Sequence, residues 1–127
     1  ENQVIYSSFN HESVHRLAQI VGSDKVGLLT SDIQFEPWSY LNHLGAGAFH
    51  PMLNSLQQMD LVAQSHLHQI KINVWTVDEK EYIYAALLLG VDAIITNKPE
   101  FAIALRKQFT EDHGVKAKEV VRSFGLI

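Results

Sequence analysis

Apolar positions along this chain alternate between two spacings. Short runs of β-branched and apolar residues recur at Val4 (VIYSSF), Val26 (VGLLT), Ala48 (GAFHP), Ile72 (INVWTV) and Ile94 (DAIIT). Their separation is about 22 to 24 residues, the scale of one strand, one helix and two short loops. The segments between them carry helical stripes. Val14, Leu17, Ala18 and Val21 follow Asn10, a good N-cap. Trp38, Leu41 and Leu44 follow Pro37. Met52, Leu56, Met59, Ala63, Leu67 and Ile70 form a longer stripe, and Phe101, Leu105 and Phe109 the last clear one.

The unit from Ile72 to Pro99 shows the pattern best. Asp78 with Glu81 three residues on reads as a capping-box-like helix start. Ile83, Ala86 and Leu87 share one helical face, and Gly90 ends the helix. Asp92 to Thr96 is a second short strand, and Pro99 suits a first helical turn. Strands joined through helices are expected to be parallel, with right-handed crossovers. Five such units in series predict an α/β fold, either an open doubly wound sheet or part of an eight-fold barrel. No GxGxxG or GxxxxGK[ST] follows the first strand, which weakens the dinucleotide and P-loop readings.

Composition narrows the function classes. The net charge of −4 gives no electrostatic case for nucleic acid or an anionic membrane. No apolar run reaches the ~18–20 residues of a membrane span. The absence of cysteine excludes disulfides, thiolate nucleophiles and Cys-ligated metals. The chain begins at Glu1 and is expected to be a piece of a longer protein.

VIYSSFN, INVWTV and LLLGVDAIITNKP resemble, in that order, the C-terminal part of the glycerophosphodiester phosphodiesterase family. That family carries a Ser-Phe strand end, a Val-x-Val-Trp-Thr-Val strand, then Leu-Gly-Val-Asp-Gly-Ile-Ile-Thr-Asp-x-Pro. The likeness runs from about Val4 to Leu105. Ala93 stands in place of a common Gly, and Asn97-Lys98 in place of the usual Asp-Arg. The resemblance implies parallel (β/α) units, the C-terminal five strands of a TIM-type (β/α)8 barrel. Residues 1–109 are then expected to form this part of the barrel, and residues 110–127 a tail with a short amphipathic helix after Thr110 to Gly114 as linker.

The implied reaction is hydrolysis of glycerophosphodiesters to sn-glycerol 3-phosphate and an alcohol. The family's chemistry rests on a His-Arg-Gly, a Glu-x-Asp, a His followed by Asp, and a Glu-x-Lys. This chain contains none of them, and His15-Arg16 is followed by Leu17 in a predicted helix. A phosphodiester is anionic, and carboxylate-held divalent cations neutralise the charge that its hydrolysis develops. The resemblance therefore implies Ca²⁺ or Mg²⁺ for the intact parent, with no metal ligand, no catalytic residue and no cofactor in this chain.

What remains is expected to shape the substrate-side wall. Phe9 and Trp75 follow the first and fourth strands, at the functional face of a barrel. Apolar surface there suits glycerol carbons, and Ser8 is a candidate hydrogen-bond donor to substrate. His66 and His68 lie in a predicted helix, where positions two apart diverge, so they are no metal pair. His50, after a strand and before Pro51, is a weaker pocket candidate; His11, His15, His43 and His113 read as surface or cap residues. Thr96, Asn97 and Lys98 precede the last clear helix, a place that attracts phosphate, although the resemblance puts the phosphate elsewhere.

Two further readings stay open: a non-catalytic half-barrel serving binding or assembly, and an unrelated doubly wound binding protein. The expected compartment is unspecified: a soluble domain, cytoplasmic or attached to a membrane-anchored parent. Five strands cut from eight leave two unpaired edges. Inward side chains such as Ile5, Leu28, Val74 and Ile95 are expected to lack their opposite wall. Self-association, or pairing with the missing N-terminal half, is therefore expected.

Overall fold

The computed structural model describes residues 3–32, 34–57 and 60–125. Five strands, β1 (Tyr6–Ser8), β2 (Val26–Thr30), β3 (Ala48–Pro51), β4 (Lys71–Val74) and β5 (Ala93–Ile94), lie in the order β1-β2-β3-β4-β5. The pairs β1–β2, β2–β3 and β3–β4 are parallel, with Ser7 opposite Gly27, Leu29 opposite His50 and Phe49 opposite Ile72. Spatial order follows chain order throughout. A doubly wound sheet reverses its order at a switch point, and this one does not. The strands belong to a singly wound series of (β/α) units, and the open doubly wound alternative is overturned.

The chain divides into two compact units, Glu1–Asn73 and Val74–Ile127. In the first, α1 (His11–Val21) packs on β2 and α2 (Pro37–Leu44) on β3. The Asn10 side chain caps α1 by accepting from the Ser13 N–H, as its sequence position predicts. Pro37 occupies the first turn of α2, where a missing N–H costs nothing. Val14, Leu41, Val26, Leu28, Phe49 and Ile72 are buried. They form the layer between helices and sheet.

The long stripe from Met52 to Ile70 is not one helix. A 3-10 turn spans Leu53–Gln57, and α3 is only Leu61–Leu67. It buries Leu61, Val62 and Ser65, whereas Leu67 is 74% exposed. Ile70 lies past the helix end, buried, with its N–H bonded to the Ser65 carbonyl. Burial of Ile70 comes from the turn into β4, not from a helical face. Met59 and the side chain of Leu56 lie outside the described residues.

In the second unit, α4 (Lys80–Leu89) packs on α5 (Pro99–Glu111) and α6 (Val115–Ser123). Its core is Ile83, Tyr84, Ala86, Leu105, Ala117 and Val121. Of the expected α5 stripe only Leu105 is buried, and Phe101 is exposed. Gly90 ends α4 in a left-handed conformation at φ 78°, as its position predicts. The expected linker shortens to Asp112, His113 and Gly114, because α5 runs on to Glu111. The tail is helical as far as Ser123, and residues 126–127 lie outside the described residues.

Strand parity corrects one expectation. Leu28 pairs with Phe49 and Ser8, and Val74 shares its side of β4 with Ile72. Leu28 is 2% and Val74 0% exposed. These side chains belong to the helix-covered face and are not left open. Ile5 and Ile95 are exposed, as expected. The opposite face carries Ser7, Gly27, His50 and Asn73.

Candidate functional site

The first unit builds a buried polar row on that opposite face. His50 on β3 is 2% exposed, yet both ring nitrogens have partners. Its Nδ1 lies 2.6 Å from the Ser7 Oγ on β1, and its Nε2 2.9 Å from the Asn73 Nδ2 on β4. β2 lies between β1 and β3, and the ring reaches Ser7 across Gly27. A Cβ at Gly27 would stand 2.1 Å from Nε2, so only glycine leaves a seat for the imidazole.

Burial pushes the His50 pKa down to about 4, so the ring is neutral at pH 7. The Asn73 amide donates to Nε2, which places the ring proton on Nδ1, donating to Ser7. A neutral, hydrogen-bonded imidazole is a rigid cross-strand tie. The sequence reading of His50 as a weak pocket candidate missed both partners. Only the strand register, which sets Ser7 beside Gly27, brings them together.

Ser8, one residue on, has the opposite parity. Its Oγ accepts from the Asn10 N–H at 3.0 Å and so helps start α1, while its own O–H remains a donor. Phe9 follows β1 at its C-terminal end and is 56% exposed. Other histidines of this unit hold helices. His15 Nδ1 donates to the Leu44 carbonyl at 2.8 Å, tying α1 to α2. His68 stacks on Trp38 at 5.0 Å between centroids and donates to the Gln64 carbonyl.

Trp75 belongs to the second unit. It follows β4 directly, is half-buried, and is joined to Thr76 by a cis peptide bond. The Ile95 N–H donates to the Val74 carbonyl at 2.8 Å, and the Ile95 carbonyl accepts from the Val77 N–H at 3.0 Å. Trp75 and Thr76 thus arch between two fixed points.

Asp78 comes next, and here the structure departs from the sequence reading. No capping box forms: α4 starts at Lys80 behind Glu79, whose side chain makes no cap bond. Instead Asp78 Oδ1 accepts from Thr96 Oγ1 and from the Asn97 N–H, each at 2.8 Å. Its Oδ2 accepts from Asn97 Nδ2 at 3.0 Å. Three convergent donors outweigh one local cap. The Asn97 backbone N–H above all, then the Asn97 and Thr96 side chains, hold the carboxyl below its ordinary pKa against the opposing desolvation; the Lys98 charge adds to them. The anion beside Asn97 is therefore the protein's own carboxylate. Asn97, Lys98, Pro99, Glu100 and Phe101 line a shallow open depression at the start of α5.

Among the described residues, no group of three or more His, Asp or Glu side chains is placed to hold a metal ion. With that donor set, the described residues do not fit a divalent cation. Among the described residues, no helix is long and apolar enough to cross a membrane.

Comparison with known proteins agrees with this layout. Residues 1–101 match the Glycerophosphoryl diester phosphodiesterase family. A glycerophosphodiester phosphodiesterase of Caldanaerobacter subterraneus subsp. tengcongensis is 36% identical over 105 residues, 83% of this chain and 43% of that protein. The crystal structure of a glycerophosphodiester phosphodiesterase from Parabacteroides distasonis superimposes with a TM-score of 0.72 at 25% identity, covering 84% of this chain and 44% of that one. An Oleispira antarctica phosphodiesterase, solved in complex with the product sn-glycerol-3-phosphate, gives a TM-score of 0.72 at 17% identity, covering 81% of this chain and 41% of that one. The chain spans less than half the length of these relatives.

Proposed function

The chain belongs to the glycerophosphoryl diester phosphodiesterase family, and on that premise we propose that it is the C-terminal part of a phosphoric diester hydrolase barrel. The intact enzyme hydrolyses glycerophosphodiesters to sn-glycerol 3-phosphate and an alcohol. The observation that carries this reading is the family match, which spans residues 1–101 and so takes in β1 to the start of α5. The product held by the Oleispira antarctica relative supports the substrate class.

In this reading the chain supplies the substrate-side wall. Trp75 and Phe9 stand just past the C-terminal ends of their own strands, where barrel enzymes gather their chemistry. Their rings offer apolar contact to glycerol carbons and keep water from the phosphodiester. The Ser8 hydroxyl offers one hydrogen bond. The histidines that move protons and the carboxylates that hold Ca²⁺ or Mg²⁺ come from residues outside this chain. Such a cation supplies charge neutralisation at the phosphate when bound.

The partner of this piece is the rest of its barrel, or a second copy that covers the same edge. β1 stands at the end of the strand order, with Val4, Ile5 and Tyr6 exposed. An uncovered strand edge beside apolar side chains favours pairing.

Turnover of glycerophosphocholine tests the division of labour. The intact protein is expected to hydrolyse it with Mg²⁺ or Ca²⁺, and the 127-residue chain alone is expected to be inactive. Metal-dependent turnover by the short chain, lost on mutating one of its own residues, overturns the division. An inactive intact protein overturns the activity. In the intact protein Trp75→Ala is expected to lower kcat/KM by the equivalent of about 1–3 kcal/mol. Light scattering of the short chain tests the pairing: a stable monomer at high concentration refutes it.

A further inference from the structure

The loop after β4 and the loop after β5 are joined through one side chain. Asp78 takes three donors, and all three come from Thr96 and Asn97. Thr96 Oγ1 passes the restraint on, because it also accepts from the Lys98 N–H at 3.0 Å, at the residue that caps α5. On the near side, Asp78 directly follows Val77, whose N–H is bonded to the Ile95 carbonyl. The Trp75–Thr76 arch is thus pinned at Val74 and Val77 by backbone bonds, and its exit is pinned at Asp78 by side-chain bonds.

We infer that Asp78 is a positioning residue, whose carboxylate clasps the loop after β5 and thereby holds the Trp75 arch in place at the strand ends. The inference rests on the reading of Trp75 as substrate wall and deepens it. A carboxylate suits the task because it is acceptor-only and presents two oxygens to converging donors. Backbone bonds hold the arch at Val74 and Val77, and the side-chain bonds of Asp78 add to them. The clasp joins residues 18 and 19 positions apart and so stiffens the exit of the arch.

The donor–acceptor pattern makes the test specific. Asn97→Asp sets a carboxylate against the Asp78 carboxylate and loses the Nδ2 donor. Adding Asp78→Asn restores a donor–acceptor pair with the direction reversed, while the amide oxygen at 78 still accepts from Thr96 and the residue-97 N–H. Asp78→Ala removes all three bonds. The readouts, in the intact protein that contains this chain, are the Trp75 indole N–H resonance, hydrogen exchange of the residue-97 amide, and KM for glycerophosphocholine. The Tyr84 amide in α4 serves as a control for global unfolding.

Asp78→Ala and Asn97→Asp are each expected to shift the indole resonance and speed exchange at residue 97 roughly tenfold, the effect of losing charge-assisted hydrogen bonds. Tyr84 exchange stays unchanged, and KM rises with kcat nearly constant. The double variant brings all three readouts back. If Asp78→Ala also releases Tyr84, Asp78→Glu, which keeps the charge on a longer arm, is read on the same signals and is expected to shift the indole. An unmoved indole in these variants, or a double variant no better than Asn97→Asp alone, overturns the clasp. Trp75→Ala separates the two ideas: an unchanged KM there ends the wall reading, while the exchange rates still decide the clasp.

Discussion

Two sets of polar side chains tie neighbouring segments together, one within each compact unit, and burial has put them in opposite electrical states. In the first, Ser7, His50 and Asn73 join β1, β3 and β4, and the central imidazole is buried and neutral. In the second, Asp78, Thr96 and Asn97 join two loops near solvent, and the central carboxylate is charged. Removing an ion from water costs several kcal/mol even after relaxation. A buried centre therefore gives up its charge, and needs a partner on each nitrogen to offset its desolvation. Near the surface the carboxylate keeps its charge, and its donors draw the proton affinity down. The buried row suits fixing strand register, and the surface clasp suits holding one loop.

The largest effect is expected at Gly27. Gly27→Ala places a methyl 2.1 Å from the His50 Nε2 and forces the ring off both partners. Overpacking of this kind costs about 3 kcal/mol, read from urea unfolding. A near-neutral result would show that the ring has room to move, and the contrast between the two sets would lose its buried half.

Acid separates the sets next. His50 titrates near 6.5 when unfolded and at about 4 when folded, so between those values the unfolded chain binds more protons. Stability is then full above pH 6.5 and falls as pH drops toward 4, by on the order of 3 kcal/mol. Asp78 behaves differently, because its folded pKa lies below the ordinary 3.8. Its contribution persists through that window and is lost only below it. Urea midpoints measured from pH 7 to 4, with residue-97 amide exchange followed in parallel above pH 4, check both halves. Clasp loss beginning near pH 6 would break the comparison.

A smaller change sharpens it. Asn73→Leu leaves the His50 Nε2 buried without its donor and is expected to cost about 1–2 kcal/mol. Burial, the cause of the lowered His50 pKa, remains in this variant, so the acid sensitivity of the preceding test should persist in an NMR titration of His50.

Features decided within a few residues were legible on the chain. Asn10 caps α1, Pro37 and Pro99 open helices, Gly90 closes one, and the five apolar runs mark strands, because each depends on neighbours within about one turn. The placement of Phe9 and Trp75 just past strand ends followed from the same local order. The Met52–Ile70 stripe misled because a helical spacing was counted across a 3-10 turn.

Four things were settled only by the tertiary structure. Sheet order chose a singly wound series over a doubly wound one. Strand register put Ser7, not Ser8, on the face with His50, because a shift of one residue reverses the side a chain presents. Gly27 reads as a plain small residue until the imidazole from β3 lies over it. Asp78 had a local partner available in Glu81 and took distant ones, since three converging donors bind a carboxylate better than one nearby cap. Local rules act through covalent neighbours, whereas each of these outcomes depends on groups that only folding brings within hydrogen-bond reach.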